Sequence, residues 1–247
     1  MTNSYKMADG TDVPVNVKHP TMGVVTPKGI ATGYIHLQIP DDGYNGSNKD
    51  NPRYKCDILI NPKDAEHMMK EITGFRDAFV ACHNIPEHKV KPLPWGPDVD
   101  KKTGTMRSDD LVFKTWMKSL AGRNASVSEY EKQMEKQKHN PAYKPMVWPI
   151  RPMLKDSNLN PYTGSDKVGP GSELIMALDC YIWNTPQGCG VNLRPQAVQI
   201  VKFVQATSNK REGIVANTGL KKITGGFVSA VTEENISASM SATDGDF

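Results

Sequence analysis

Between residues 174 and 184 the sequence LIMALDCYIWN alternates without a break. Leu174, Met176, Leu178, Cys180 and Ile182 fall on one face of an extended chain, and Ile175, Ala177, Asp179, Tyr181 and Trp183 on the other. A two-residue period belongs to a strand; a helix would bring like residues back every three to four positions. The run therefore predicts a long strand with one buried face. The turn TPQGCG follows, and the apolar stretches 191–193 and 197–205 then provide a hairpin-like partner.

The same period recurs upstream. In IATGYIHLQI, residues 30–39, Ile35, Leu37 and Ile39 oppose Tyr34, His36 and Gln38; in RYKCDILI, residues 53–60, Tyr54, Cys56, Ile58 and Ile60 oppose Arg53, Lys55, Asp57 and Leu59. Two helices interrupt the strands. Asn61-Pro62 supplies an N-cap with proline at the first helical position, and Met68, Ile72, Phe75 and Phe79 recur at helical spacing toward Cys82, which predicts a helix capping a barrel. Ser126 and Glu129 form a capping-box signature ahead of the charged run EYEKQMEKQKH, which predicts an exposed helix. Four prolines between Pro86 and Pro97 predict an irregular loop, residues 111–116 a short strand or turn, and the proline-rich 145–154 an edge segment.

The 247 residues, with 20 Gly and 18 Pro, suit one elaborated, loop-rich β domain. Residues 1–27, with Pro14, Pro20 and Pro27, read as a partly ordered arm able to add an edge strand; 28–230 as the barrel domain; and 231–247 as a flexible acidic tail. No stretch of about 18 apolar residues is present, so no membrane partner is expected. The net charge of +3 is unevenly laid out: all 30 Lys and Arg residues lie at or before Lys222, whereas Glu233, Glu234, Asp244 and Asp246 follow it. A basic body with an acidic end points to a polyanionic partner.

Catalysis finds little support. The stretch KVGPGS, residues 167–172, lacks the Gly-Lys-Ser/Thr ending that places a lysine on terminal phosphates. The neighbouring carboxylates Asp41-Asp42 and Asp109-Asp110 diverge in turn-like sequence, where metal-assisted phosphoryl chemistry needs convergence. Cys56, Cys82, Cys180 and Cys189 show no paired metal-ligand spacing. No metal and no cofactor are expected, and the protein reads as a non-enzyme.

Aromatic and basic residues instead share the polar strand faces: Tyr34, Tyr181 and Trp183 accompany Arg53, Lys55 and Lys202, and Trp116 lies between Lys114 and Lys118. Trp148 near Arg151 is a similar but weaker candidate, and Lys132, Lys136 and Lys138 are open between solvated charge and DNA contact. Rings that stack bases beside cations that neutralise phosphates are the means by which an OB groove holds a single strand. The fold expected is all-β with helical insertions, an OB-fold Greek-key barrel with a capping helix and a flexible acidic C-terminal tail.

The segments ATGYIHLQIP, RYKCDILINPKD, GSELIMALDCYIWNTPQGCGVNLRPQAVQIVKF and the terminal TDGDF, taken together, resemble the single-stranded DNA-binding proteins of tailed phages, the OB-fold group of podovirus replication proteins. That resemblance implies a protein that coats and protects single-stranded DNA during phage replication and recombination, without strong sequence preference, in the cytoplasm of an infected bacterial host. It also implies that an acidic tail ending in an aromatic residue, here Asp244, Asp246 and Phe247, recruits phage DNA polymerase and helicase/primase; it leaves room for a homodimer. A strand-annealing recombination protein and a virion structural or assembly protein are the alternative readings.

Overall fold

The computed structural model describes residues 3–206. In chain order the elements are β1 (Ser4–Lys6), β2 (Asp12–Pro14), β3 (Thr21–Val25), β4 (Gly29–Asp41), β5 (Arg53–Ile60), α1 (Pro62–Cys82), β6 (Trp95–Val99), β7 (Met106–Lys118), β8 (Leu120–Gly122), α2 (Val127–His139), β9 (Val147–Pro149), β10 (Met153–Lys155), β11 (Glu173–Thr185) and β12 (Gly188–Lys202). Neither helix is long and apolar enough to cross a membrane.

Five strands close into a ring in the order β12-β11-β4-β5-β7, and β7 meets β12 again where Leu193 lies opposite Thr115. Closure removes the exposed sheet edges that an open sheet of these strands would present. The observed architecture is the all-β barrel expected from the sequence. Its interior is lined by the alternating faces: Tyr54, Cys56, Ile58 and Ile60 of β5, Phe113 and Met117 of β7, and Leu174, Met176, Leu178, Cys180 and Ile182 of β11 are all buried. Fully burying such a side chain contributes about 1.5–3 kcal/mol. Thr115 joins them because its hydroxyl donates to the Cys56 carbonyl at 2.6 Å, which satisfies the one polar group on that inward position.

Helix α1 starts as its cap predicts: the Asn61 side chain accepts from the Lys63 amide, and Pro62 occupies the first turn. Its Met68, Ile72, Phe75 and Phe79 stripe is buried in the core. Ser126 caps α2 in the same way, accepting from the Glu129 amide at 3.2 Å.

The structure departs from the sequence reading in four places. Residues 4–25, read as an arm able to add an edge strand, add β3 to β11 and reach further into the fold than that reading. Val13, Val15 and Met22 enter the core, and Glu71 of α1 accepts from the Tyr5 hydroxyl at 3.0 Å and the Ala8 amide at 2.9 Å. Strand β3 runs along β11 from Thr21 opposite Tyr181 to Val25 opposite Ala177, and β4 carries the same antiparallel run on to Ile30 opposite Glu173. The strands are too short to show periodicity, and the partner that orders them lies far along the chain.

Second, Ile39, which alternation places beside Leu37, is exposed. The β4–β5 ladder slips between Thr32 and His36 and again between His36 and Asp41, so alternation is interrupted on both sides of Leu37. Third, the proline-rich loop yields β6, an edge strand pairing with β7 despite Pro97, and Trp95 packs on Phe113 with ring centroids 5.4 Å apart. Fourth, the two stretches read after the hairpin turn are one strand: β12 passes through Pro195, with the irregularity absorbed between Ala177 and Leu178 of β11.

Candidate nucleic-acid interface

Because the inward positions of β5, β7 and β11 are fixed by burial, the intervening residues face outward. Lys55 lies opposite both Trp116 and His36, Arg53 opposite Lys118, and Asp57 opposite Lys114, so β4, β5 and β7 share one charged and aromatic surface. The Arg53 guanidinium carbon stands 4.3 Å from the Trp116 ring centroid. Among the described residues Arg53 Nε is buried without a hydrogen-bond partner and no carboxylate pairs with this arginine, which leaves the Trp116 ring as its contact.

The surface continues across the seam of the barrel. Trp116 and Arg194 each follow the facing pair Thr115 and Leu193 by one residue, and since that pair points inward, both successors point outward beside the seam. Asn192 ties the strands together by donating to the Trp116 carbonyl at 3.4 Å. Beyond the seam the Arg194 guanidinium lies 3.5 Å from the Tyr181 ring centroid, and the His19 ring approaches the same tyrosine at 5.5 Å. Two arginine-on-aromatic stacks thus flank one junction of the barrel.

At the other end of this band β4 makes its bulge. Gly33 has φ 70°, the left-handed region that a side chain disfavours, and the slip it permits lifts Tyr34 out until 80% of it is exposed. Tyr34 looks onto a cleft of about 670 Å³ whose far wall is the β6–β7 ribbon. Lys55, Lys114, Lys101, Lys102 and Arg107 line it, with Asp57, Asp98 and Asp100 among them.

Of these acids, Asp98 accepts from the Ser108 hydroxyl at 3.3 Å. Asp41 pairs with Lys55, and this hydrogen bond holds its carboxyl below the usual range against the opposing effect of burial. Asp100 is held low first by the Lys102 amide and then by Arg107, 3.0 Å away. Asp57 is the exception: burial pushes it up, although Lys114, Lys55 and Lys101 pull the other way.

Of the residues singled out from the sequence, the structure brings together Tyr34, Arg53, Lys55, Lys114 and Trp116 on the β4-β5-β7 face, with Tyr181 across the seam. Trp183 is half-buried two residues further along β11. Its indole lies against Gly190, where a Cβ would come within 2.5 Å of Cζ2, so only glycine admits the ring there. Lys202 lies elsewhere. It sits opposite Glu173, its Nζ 3.9 Å from that carboxylate, which Lys28 also reaches at 2.9 Å. Ten residues of β11, roughly 30 Å of strand, separate Glu173 from Trp183. Trp148 is exposed in the separate β8–β9 ladder. Asp244, Asp246 and Phe247 fall outside the described residues.

The sequence reading missed Arg194, Lys101, Lys102 and Arg107. Arg194 shares the outward parity of Asn192, a usable signal that Pro195 obscured. The other three become neighbours of Tyr34 only when the ribbon folds over the barrel. Among the described residues no group of three His, Cys, Asp or Glu side chains could hold a metal. Burial pushes the Cys180 thiol up to about 12 and keeps it inert.

No family model matches the sequence, and no curated protein matches it. Solved structures do. The single-stranded DNA-binding protein gp2.5 of bacteriophage T7 aligns with a TM-score of 0.51 at 20% identity, over 77% of this chain and 97% of that one. The single-stranded DNA-binding protein of bacteriophage Enc34, in its complex with ssDNA, aligns with a TM-score of 0.47 at 11% identity, over 84% and 95% of the respective chains. Strand order, barrel closure and the gp2.5 alignment agree on the fold: the chain is an OB-fold barrel similar to that of gp2.5.

Proposed function

We propose that this protein binds single-stranded DNA along the outer band of the barrel, without strong sequence preference, and works by binding and not by catalysis. The observation that carries the reading is the pair of guanidinium-stacked rings, Arg53 on Trp116 and Arg194 on Tyr181, on either side of one strand seam. The arginines hold the rings at fixed positions and bring positive charge to where a phosphate would follow a stacked base. Tyr34 adds an open ring face, and Lys55, Lys114, Lys101 and Lys102 line the cleft beside it.

Bases inside a duplex are already stacked on one another, so rings arranged in this way favour an unpaired strand. Each phosphate neutralised on a single strand contributes about 0.7 to the slope of log affinity against log salt. The similarity in fold to gp2.5, described as a single-stranded DNA-binding protein, supports the same reading. In a phage setting such a protein would coat and protect single strands exposed during replication and recombination inside the infected host cell. The acidic terminal segment with Asp244, Asp246 and Phe247 would recruit the polymerase and helicase/primase.

The test is a fluorescence titration with oligonucleotides, single-stranded and duplex, over a range of salt. The expected result is preference for the single strand, little difference among sequences, and a salt slope reduced by about 1.4 in the Lys55→Ala/Lys114→Ala variant. Equal affinity for duplex, or a slope unmoved in that variant, overturns the proposal.

A further inference from the structure

We infer that the exposed face of α2 with Tyr143 is a second nucleic-acid contact, which takes a single strand onward beyond the barrel; the inference rests on the single-stranded DNA reading above. The helix is anchored where the barrel band ends. The Val127 amide donates to the Asp50 carbonyl at 2.9 Å and the Ser128 amide to its carboxylate at 2.8 Å. Three residues later the chain enters β5 at Arg53, which lies opposite Lys118 and beneath the Trp116 stack. The Ser119 amide donates to the Pro52 carbonyl at 3.0 Å and fixes the two segments side by side.

From that anchor the helix leads outward. Its thirteen residues span about 20 Å and fully bury a single side chain, Gln133, which accepts from the Met146 and Val147 amides at 2.6 and 3.1 Å. The flank beside Gln133 is open: Lys132, Lys136 and His139 are exposed. These three recur at i, i+4 and i+7, so they form one stripe. Just past the helix Tyr143 folds back under it, its amide donating to the Asn140 carbonyl at 2.9 Å, and the stripe and ring border a surface cavity of about 560 Å³.

Two features separate this face from ordinary solvated charge. The first is geometric: Lys136 Nζ stands 5.9 Å from the Tyr143 ring centroid, a third cation-on-aromatic pair after the two on the barrel. The second is electrostatic. Among the described residues the one carboxylate bordering the cavity, Glu135, is engaged by Lys138 and His139, each at 3.2 Å, and neither Lys132 nor Lys136 has an acidic partner. Basic residues in the last turn are favoured by the helix dipole. That effect accounts for Lys136, Lys138 and His139, but it asks for neither Lys132, a turn earlier, nor a tyrosine ring beside Lys136.

A strand long enough to leave the barrel near Arg53 and Lys118 would therefore meet two free ammonium groups and a stacking ring. The test compares two oligothymidylates in anisotropy titrations, one of about 6 nucleotides, within the span of a single OB barrel, and one several-fold longer. For the Lys132→Ala/Lys136→Ala/Tyr143→Ala variant, the short probe is expected to bind within twofold of wild type. The long probe is expected to lose at least tenfold in affinity, with the salt slope reduced by about 1.4. Unchanged long-probe affinity overturns the inference, as does an equal loss on both probes, because the helix face would then not be a separate contact. Failure of the wild-type protein to bind either probe would instead overturn the proposed function.

Discussion

Tyr34 offers the sharpest separation between binding and folding. Its ring is 80% exposed, and the backbone beneath it is shaped by Gly33, so the fold gains little from the side chain. Replacing it with alanine should change stability by no more than about 0.5 kcal/mol, which for a domain of this size moves the unfolding midpoint by less than about 2 °C. Stacking of one base contributes about 1–3 kcal/mol, so loss of the ring should weaken single-stranded DNA binding by about 5-fold to 150-fold. The assay is a titration of a labelled oligonucleotide against wild type, Tyr34→Ala and Tyr34→Phe, with a thermal melt of each. Phenylalanine keeps the ring face and should bind as wild type does. If Tyr34→Phe is as weak as Tyr34→Ala, the hydroxyl and not the ring makes the contact, and the stacking argument fails. If Tyr34→Ala binds normally, the cleft under the β6–β7 ribbon does not hold DNA.

Two further outcomes test the scaffold and the charge layout. Glu71→Ala should destabilise the protein by about 2–4 kcal/mol in thermal or urea unfolding, because it leaves the Tyr5 hydroxyl and the Ala8 amide without their acceptor; an unchanged midpoint would mean the β1–β2 hairpin does not depend on α1. Asp57→Asn should stabilise the protein at pH 7. Burial raises the folded-state value of Asp57, so its contribution to stability is present in full below the ordinary 3.8 and is lost as pH rises through the raised value. The gap between variant and wild type should therefore close below pH 3.8 in melts across pH, and a gap independent of pH would contradict the assignment.

What was legible in the sequence is what local periodicity encodes. Strict alternation divided the residues of β5 and β11 into two faces, since a residue's face follows from its position in an extended chain, and Asn61-Pro62 and Ser126 marked where helices begin, since capping is satisfied within a few residues; burial decided which face points inward. Tertiary structure decided everything that depends on two distant segments meeting. Val13, Val15 and Met22 became core only against α1 and β11. The slips that raise Tyr34 and expose Ile39 arise from the fit of β4 to β5, and the joining of Arg53–Trp116 to Arg194–Tyr181 from closure of β7 on β12. Lys202 illustrates the converse: its sequence context matched that of Lys55, but the hairpin register carries it to the far end of β11. Composition and period assign a residue to a face, whereas the register and closure of the barrel decide which residues on that face become neighbours.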